Sequence, residues 1–158
     1  MAILQDSGNR REFETGAVRD VAEGKGRCDL LPLDVVGILL YKSVPRQVHL
    51  YTKTGNTEFL YDALRLFAVE RNTSEARDML LVSHHFEDGM VKYGENNWRR
   101  GIPLHCYIDS AIRHYLKDLI GENDEPHEAA FIWNILCAIW THENRPEMID
   151  LPFATKEG

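Results

Sequence analysis

The chain is poor in cysteine, in long apolar runs and in positive charge, and each shortage closes a class of function. Only three cysteines, Cys28, Cys106 and Cys137, occur in 158 residues, far apart and without a CxxC pair. This excludes a disulfide framework and a cysteine-based zinc site, and suits free thiols in a reducing compartment. No apolar stretch approaches the ~20 residues that span a bilayer. The opening residues, Met1 to Asp6, lack the basic-then-apolar pattern of a secretory leader. A cytoplasmic location and no membrane contact are therefore expected. Lys and Arg number 18 against 25 Asp and Glu, a formal charge of −7. A general DNA or RNA binder needs a basic face, so nucleic acid is not an expected partner. GxxxxGK[ST], GxGxxG and GxSxG are all absent, which removes the P-loop, the dinucleotide fold and the serine-hydrolase elbow.

What is present is globular: 44% hydrophobic and 27% charged residues, enough for one core and one domain over 1–158. Residues 1–31 read as an irregular arm and a Gly-rich loop, 32–141 as a helical bundle, and 142–158 as a tail. Pro32 suits the first turn of a helix over Leu33–Tyr41. Residues 43–57, polar with Pro45 and Gly55, read as a loop. Helix spacing marks Thr57–Arg71, with Phe59, Leu60, Ala63, Leu64 and Phe67 on one side. Thr73 or Ser74 caps the next helix, about Glu75–Tyr93, with Met79, Leu80, Val82, Phe86, Met90 and Val91 inward. Gly89 inside it costs about 1 kcal/mol relative to Ala and points to a close approach by chain or ligand. A long amphipathic helix, about Leu104–Ile120, turns Leu104, Ile108, Ala111, Ile112, Tyr115 and Leu119 inward, and Gly121 ends it. The last helix, His127–Thr141, is apolar almost all round, so it sits centrally or in a subunit interface, and a homo-oligomer is expected. The fold class is all-α, a bundle of four or five helices with no convincing strands.

Polar residues interrupt this pattern in ways that suit chemistry. His127, Asn134 and Thr141 are seven apart on the last helix and form either a core network or a ligand-facing line. Asp109, Arg113 and Lys117 recur at i, i+4 beside His114, as a solvated ion-paired face or as a polyphosphate contact. Glu122, Asp124, Glu125 and Glu128 crowd the following turn. They either complement a helix dipole or, with Asp109, surround Mg²⁺ or Mn²⁺. Glu87 is a further possible ligand and Lys92 a phosphate contact. Lys25 and Arg27, set among Gly24 and Gly26, offer two more cations to phosphates. Asn97 and Trp98 suit edge-on and stacking contacts with a base, though a loop Trp also serves as a packing anchor.

Four segments in order carry a resemblance: Gly24–Pro32, Gly89–Gly101, Tyr107–His114, and Gly121-Glu122 with Pro126–Ala129. Together they resemble the phage-encoded dATP/dGTP diphosphohydrolase family, related to the MazG-like all-α pyrophosphohydrolases, over most of 6–142. The resemblance implies metal-dependent hydrolysis of dGTP or dATP to monophosphate and pyrophosphate. The ExxE and ExxD helix pairs usual in MazG-like enzymes are missing. The metal ligands are therefore taken from local chemistry: Asp109, Glu122, Asp124 and Glu87. His114, Arg113 or Glu122 would act on the attacking water and the phosphorus. Lys25, Arg27, Lys92 and Arg113 would hold phosphates, Asn97 and Trp98 the base, with His127 and Asn134 in support. Two rivals stand beside this: an acidic accessory protein without catalysis, and a phosphohydrolase of the HD kind, although the His-Asp dipeptide is absent.

Overall fold

The computed structural model describes residues 9–155. It is largely all-α, as expected, with six helices: α1 Leu33–Leu40, α2 Val44–Thr54, α3 Glu58–Glu70, α4 Glu75–Tyr93, α5 Leu104–Leu119 and α6 His127–Asn144. None of them is long and apolar enough to cross a membrane. α5 and α6 pack along one another as the central pair, and α3 and α4 flank α6. Phe67, Tyr115 and Phe131 lock three of these helices together, the Phe67 and Phe131 rings edge to face at 4.4 Å. Ser74 caps α4 by accepting a hydrogen bond from the Arg77 amide.

Four expectations are corrected. Residues 43–57 are not a loop. Val44, Val48 and Tyr51, at i, i+4 and i+7, are fully buried and pull α2 onto the core, with Pro45 in its first turn. Gly55 ends α2 at φ 72°, and a Cβ there would meet the Phe153 ring at 2.8 Å, so the glycine also seats the tail. The arm is not wholly irregular either. β1 Arg10–Glu12 and β2 Val18–Asp20 pair antiparallel across the turn at Gly16. The hairpin is tied down by Asn97, whose side chain accepts from the Val18 amide and donates to the Val18 carbonyl, each at 2.8 Å.

The inward face of α4 is also different. Only Val82 of the apolar set is buried; Met79, Leu80, Met90 and Val91 are exposed, as is Leu119 on α5. The inner side of α4 faces a polar cavity, so hydrophobicity does not mark it. Finally, α6 is covered by its own chain, with eleven of its residues buried. The apolar surface that would have argued for an oligomer is therefore not on α6; one group of exposed apolar side chains lies on and beside α1, at Leu30, Val35, Ile38, Leu39 and Tyr41.

Candidate active site

The hairpin, the Gly-rich loop and helices α4, α5 and α6 enclose a cavity of about 550 Å³. In an acidic protein its lining is unexpectedly basic: Arg11, Arg19, Lys25, Lys92, Arg113 and Lys117. Arg11 and Arg19 are direct cross-strand partners. Like charges placed opposite one another destabilise a hairpin. Both nonetheless line the cavity, and each keeps a buried nitrogen without a hydrogen-bond partner, Arg11 Nε and Arg19 Nη1. Arg19 is aimed by its other amino group, which donates to Ser110 Oγ at 2.9 Å and Asn134 Oδ1 at 3.1 Å. Its guanidinium lies over the Tyr107 and Trp133 rings. Asn134 in turn donates to the Ala130 carbonyl, so of the polar stripe on α6 it is this residue that is both satisfied and cavity-facing, while His127 and Thr141 lie outside the lining. Lys92 reaches the cavity while pairing with Asp20 at 3.1 Å. Lys25 enters from the loop, where Gly24 and Gly26 take φ values of 81° and 84° that other residues resist. Burial holds its pKa below the ordinary lysine value.

Asp109 has a different part from the one expected. Its carboxylate, 4% exposed, accepts two bonds of 2.7 Å from Arg113, and a third from the Cys28 amide. Arg113 also donates to the Gly26 carbonyl. The pair therefore fastens the Gly-rich loop to α5, with both carboxylate oxygens of Asp109 engaged by protein donors. Arg27 turns away onto Asp29 and does not line the cavity. Glu87 is exposed outside it.

The acidic turn meets two histidines at the cavity rim. Asp124 Oδ1 lies 2.7 Å from His127 Nε2, and His127 Nδ1 lies 2.9 Å from His114 Nδ1. With one proton on each ring, the chain runs one way. His127 Nε2–H donates to Asp124, His114 Nδ1–H donates to His127, and His114 Nε2 keeps its lone pair. Burial, helped by the neighbouring His127, holds the His114 pKa well below the ordinary histidine value, so that lone pair is available at neutral pH. The bond from His127 lowers the Asp124 pKa, whereas burial raises that of Glu125. Two donor clusters result, His114–Glu125–His127 and Glu122–Asp124–His127, each within 4.8 Å. The carboxylates supply the oxygen donors that a Mg²⁺- or Mn²⁺-like cation takes, while both His127 nitrogens are engaged by Asp124 and His114.

A second pocket of about 250 Å³ opens beside the first and shares Gly89, Tyr93, Asn97 and Trp133 with it. Phe86 and Trp98 complete its aromatic walls, and Glu95 and Asn96 its polar rim. Trp98 packs on Phe86 and Trp140, so it is anchored as well as available to a ring. Asn97 lines both pockets, but its amide is already spent on β2. His85, on α4, is 7% exposed, lines the larger cavity and has no partner for Nδ1. Burial lowers its pKa to about 4, so the ring is neutral at pH 7.

Of the expected residues, then, Lys25, Lys92, Arg113, His114, Asp124, Asn97 and Asn134 converge on one cavity, with His127 directly behind. Glu122 stands at its acidic edge, Trp98 in the aromatic annex, and Asp109, Arg27 and Glu87 elsewhere. Sequence reading missed Arg11, Arg19, His85 and Trp133. The one available signal for the two arginines was Thr15-Gly16, a turn between two short stretches of chain.

The domain is largely all-α and holds a cation-lined cavity, an acidic rim and an aromatic annex. Residues 64–151 match the family model described as dATP/dGTP diphosphohydrolase, N-terminal, and the chain belongs to that family. No curated protein and no solved structure matches it. The matched segment holds Asp109, Arg113, His114, Asp124 and His127; the arginines of the hairpin lie outside it.

Proposed function

We propose that the protein hydrolyses deoxypurine nucleoside triphosphates, dGTP or dATP, to the monophosphate and pyrophosphate with a divalent cation. The observation that carries this reading is the facing pair Arg11 and Arg19. Two arginines opposite one another, each with an unpartnered buried nitrogen in a cavity, suit a multiply charged anion placed between them. Arg11, Arg19, Lys25 and Lys92 hold the phosphates from three elements of the chain, which fixes their orientation. The base lies in the aromatic annex against Trp98 and Trp133. His114 Nε2 takes a proton from the attacking water, and the charge that develops on the ring is met through His127 by Asp124. Glu122 and Asp124 would hold the cation, with Glu125 beside them, and when bound it supplies neutralisation of the phosphate charge.

The test is product analysis of dGTP, dATP and dCTP incubated with the protein and Mn²⁺ or Mg²⁺. Monophosphate plus pyrophosphate from the purine substrates is expected. Free triphosphate would mean chemistry of the HD kind, and no turnover with either metal would leave an accessory binding protein.

A further inference from the structure

Gly89 is the least explained residue of α4. It sits in the interior of the helix, flanked by four residues on its C-terminal side and fourteen on the other, where glycine weakens the helix. Its φ is not positive, so the backbone does not require glycine. Nothing packs against it: a Cβ built there meets no atom within 4 Å. Neither of the usual reasons for a glycine, a positive-φ turn or a close chain approach, therefore applies. What does single it out is position. Gly89 lines both the cation-lined cavity and the aromatic annex, on the boundary where the two join.

We infer that Gly89 is a specificity-determining residue: its missing side chain keeps open the passage that the sugar of the bound nucleotide occupies, between phosphates in one pocket and base in the other. The inference rests on the proposed triphosphate reading, and covalent connectivity does the rest. If phosphates sit among Arg11, Arg19 and Lys92 and the base lies beside Trp98, the atoms that link them must pass Gly89. A helix interior then gives up intrinsic stability for room.

The inference is tested with Gly89→Ala and Gly89→Leu, both good helix formers. Binding of dGTP (as its non-hydrolysable α,β-methylene analogue) and of inorganic tripolyphosphate is titrated with Mn²⁺ present, and melting temperature is recorded. Both variants should melt at or above the wild-type temperature. Tripolyphosphate, which needs only the cationic cavity, should bind within twofold of wild type. Nucleotide affinity should fall, more for Leu than for Ala, by at least tenfold for Leu. Unchanged nucleotide affinity in Gly89→Leu would overturn the inference, as would an equal loss for both ligands. A wild-type protein that binds neither ligand would instead overturn the triphosphate reading on which it depends.

Discussion

Replacing Asp109 with Ala separates a fastening role from a metal-binding one. In the folded protein its carboxylate and the Arg113 guanidinium have side-chain exposures of only 4% and 10% and share two 2.7 Å bonds. Removing the acid leaves a buried cation whose Nε already lacks a partner, and strands the Cys28 amide. Breaking one side of a buried pair costs about 3–5 kcal/mol. At roughly 2–4 °C per kcal/mol for a domain of this size, the melting temperature should fall by about 6–20 °C. Asp109→Asn keeps an acceptor for Cys28 and should lose less. The double variant Asp109→Leu with Arg113→Met removes both charges and should recover most of the loss in melting temperature, because well-packed apolar pairs often replace buried ion pairs at little cost. Thermal denaturation followed by circular dichroism, with Mn²⁺ titration of each variant, reads this directly. Asp109→Ala with wild-type stability and abolished Mn²⁺ binding would refute the reasoning and make Asp109 a ligand.

Three further outcomes are expected. Arg19→Ala should raise KM for the triphosphate at least tenfold while leaving the fold intact, since charge-assisted bonds to phosphate contribute about 1.5–3 kcal/mol each; steady-state kinetics checks it. His105 bonds Asp150, which raises the His105 pKa to about 10 and, against the opposing effect of burial, lowers that of Asp150. The sign follows: the contribution of His105 is complete below about pH 6.5 and is lost as pH rises toward 10, while that of Asp150 is lost below about pH 4. Melting temperature against pH should therefore show an alkaline decline that His105→Ala removes. Ser74→Ala, which deletes the cap of α4, should cost about 1 kcal/mol, measured by denaturant unfolding.

Periodicity made most of the bundle legible. The apolar spacing of α3, α5 and α6 is strong, and their ends fall close to where caps and glycines put them. α2 was hidden because Arg46, Gln47, His49 and Lys53 dilute its three inward residues, and Pro45 and Gly55 read as breakers although they serve as its start and stop. The hairpin was hidden because three-residue strands have almost no pattern. α4 misled for a physical reason: its cavity side carries His85, Gly89 and Lys92, so the apolar residues that look like a core face point outward. The site was legible where charge stands out, as at Lys25, Lys92 and His114. It was not legible at Asp109, because only three dimensions show that Arg113 and the Cys28 amide occupy its oxygens. Nor did the sequence separate Arg11 and Arg19 from a solvated arm until pairing set them side by side.

The central claim is that the cavity between the hairpin and α4–α6 receives a nucleoside triphosphate. Isothermal titration of the α,β-methylene analogue of dGTP into wild-type protein and into the double variant Arg11→Ala/Arg19→Ala, both with Mn²⁺, tests it most directly. The account predicts saturable one-site binding by the wild type and at least a hundredfold weaker binding by the variant at the same ionic strength, with both proteins folded. Equal affinity in the two would contradict it.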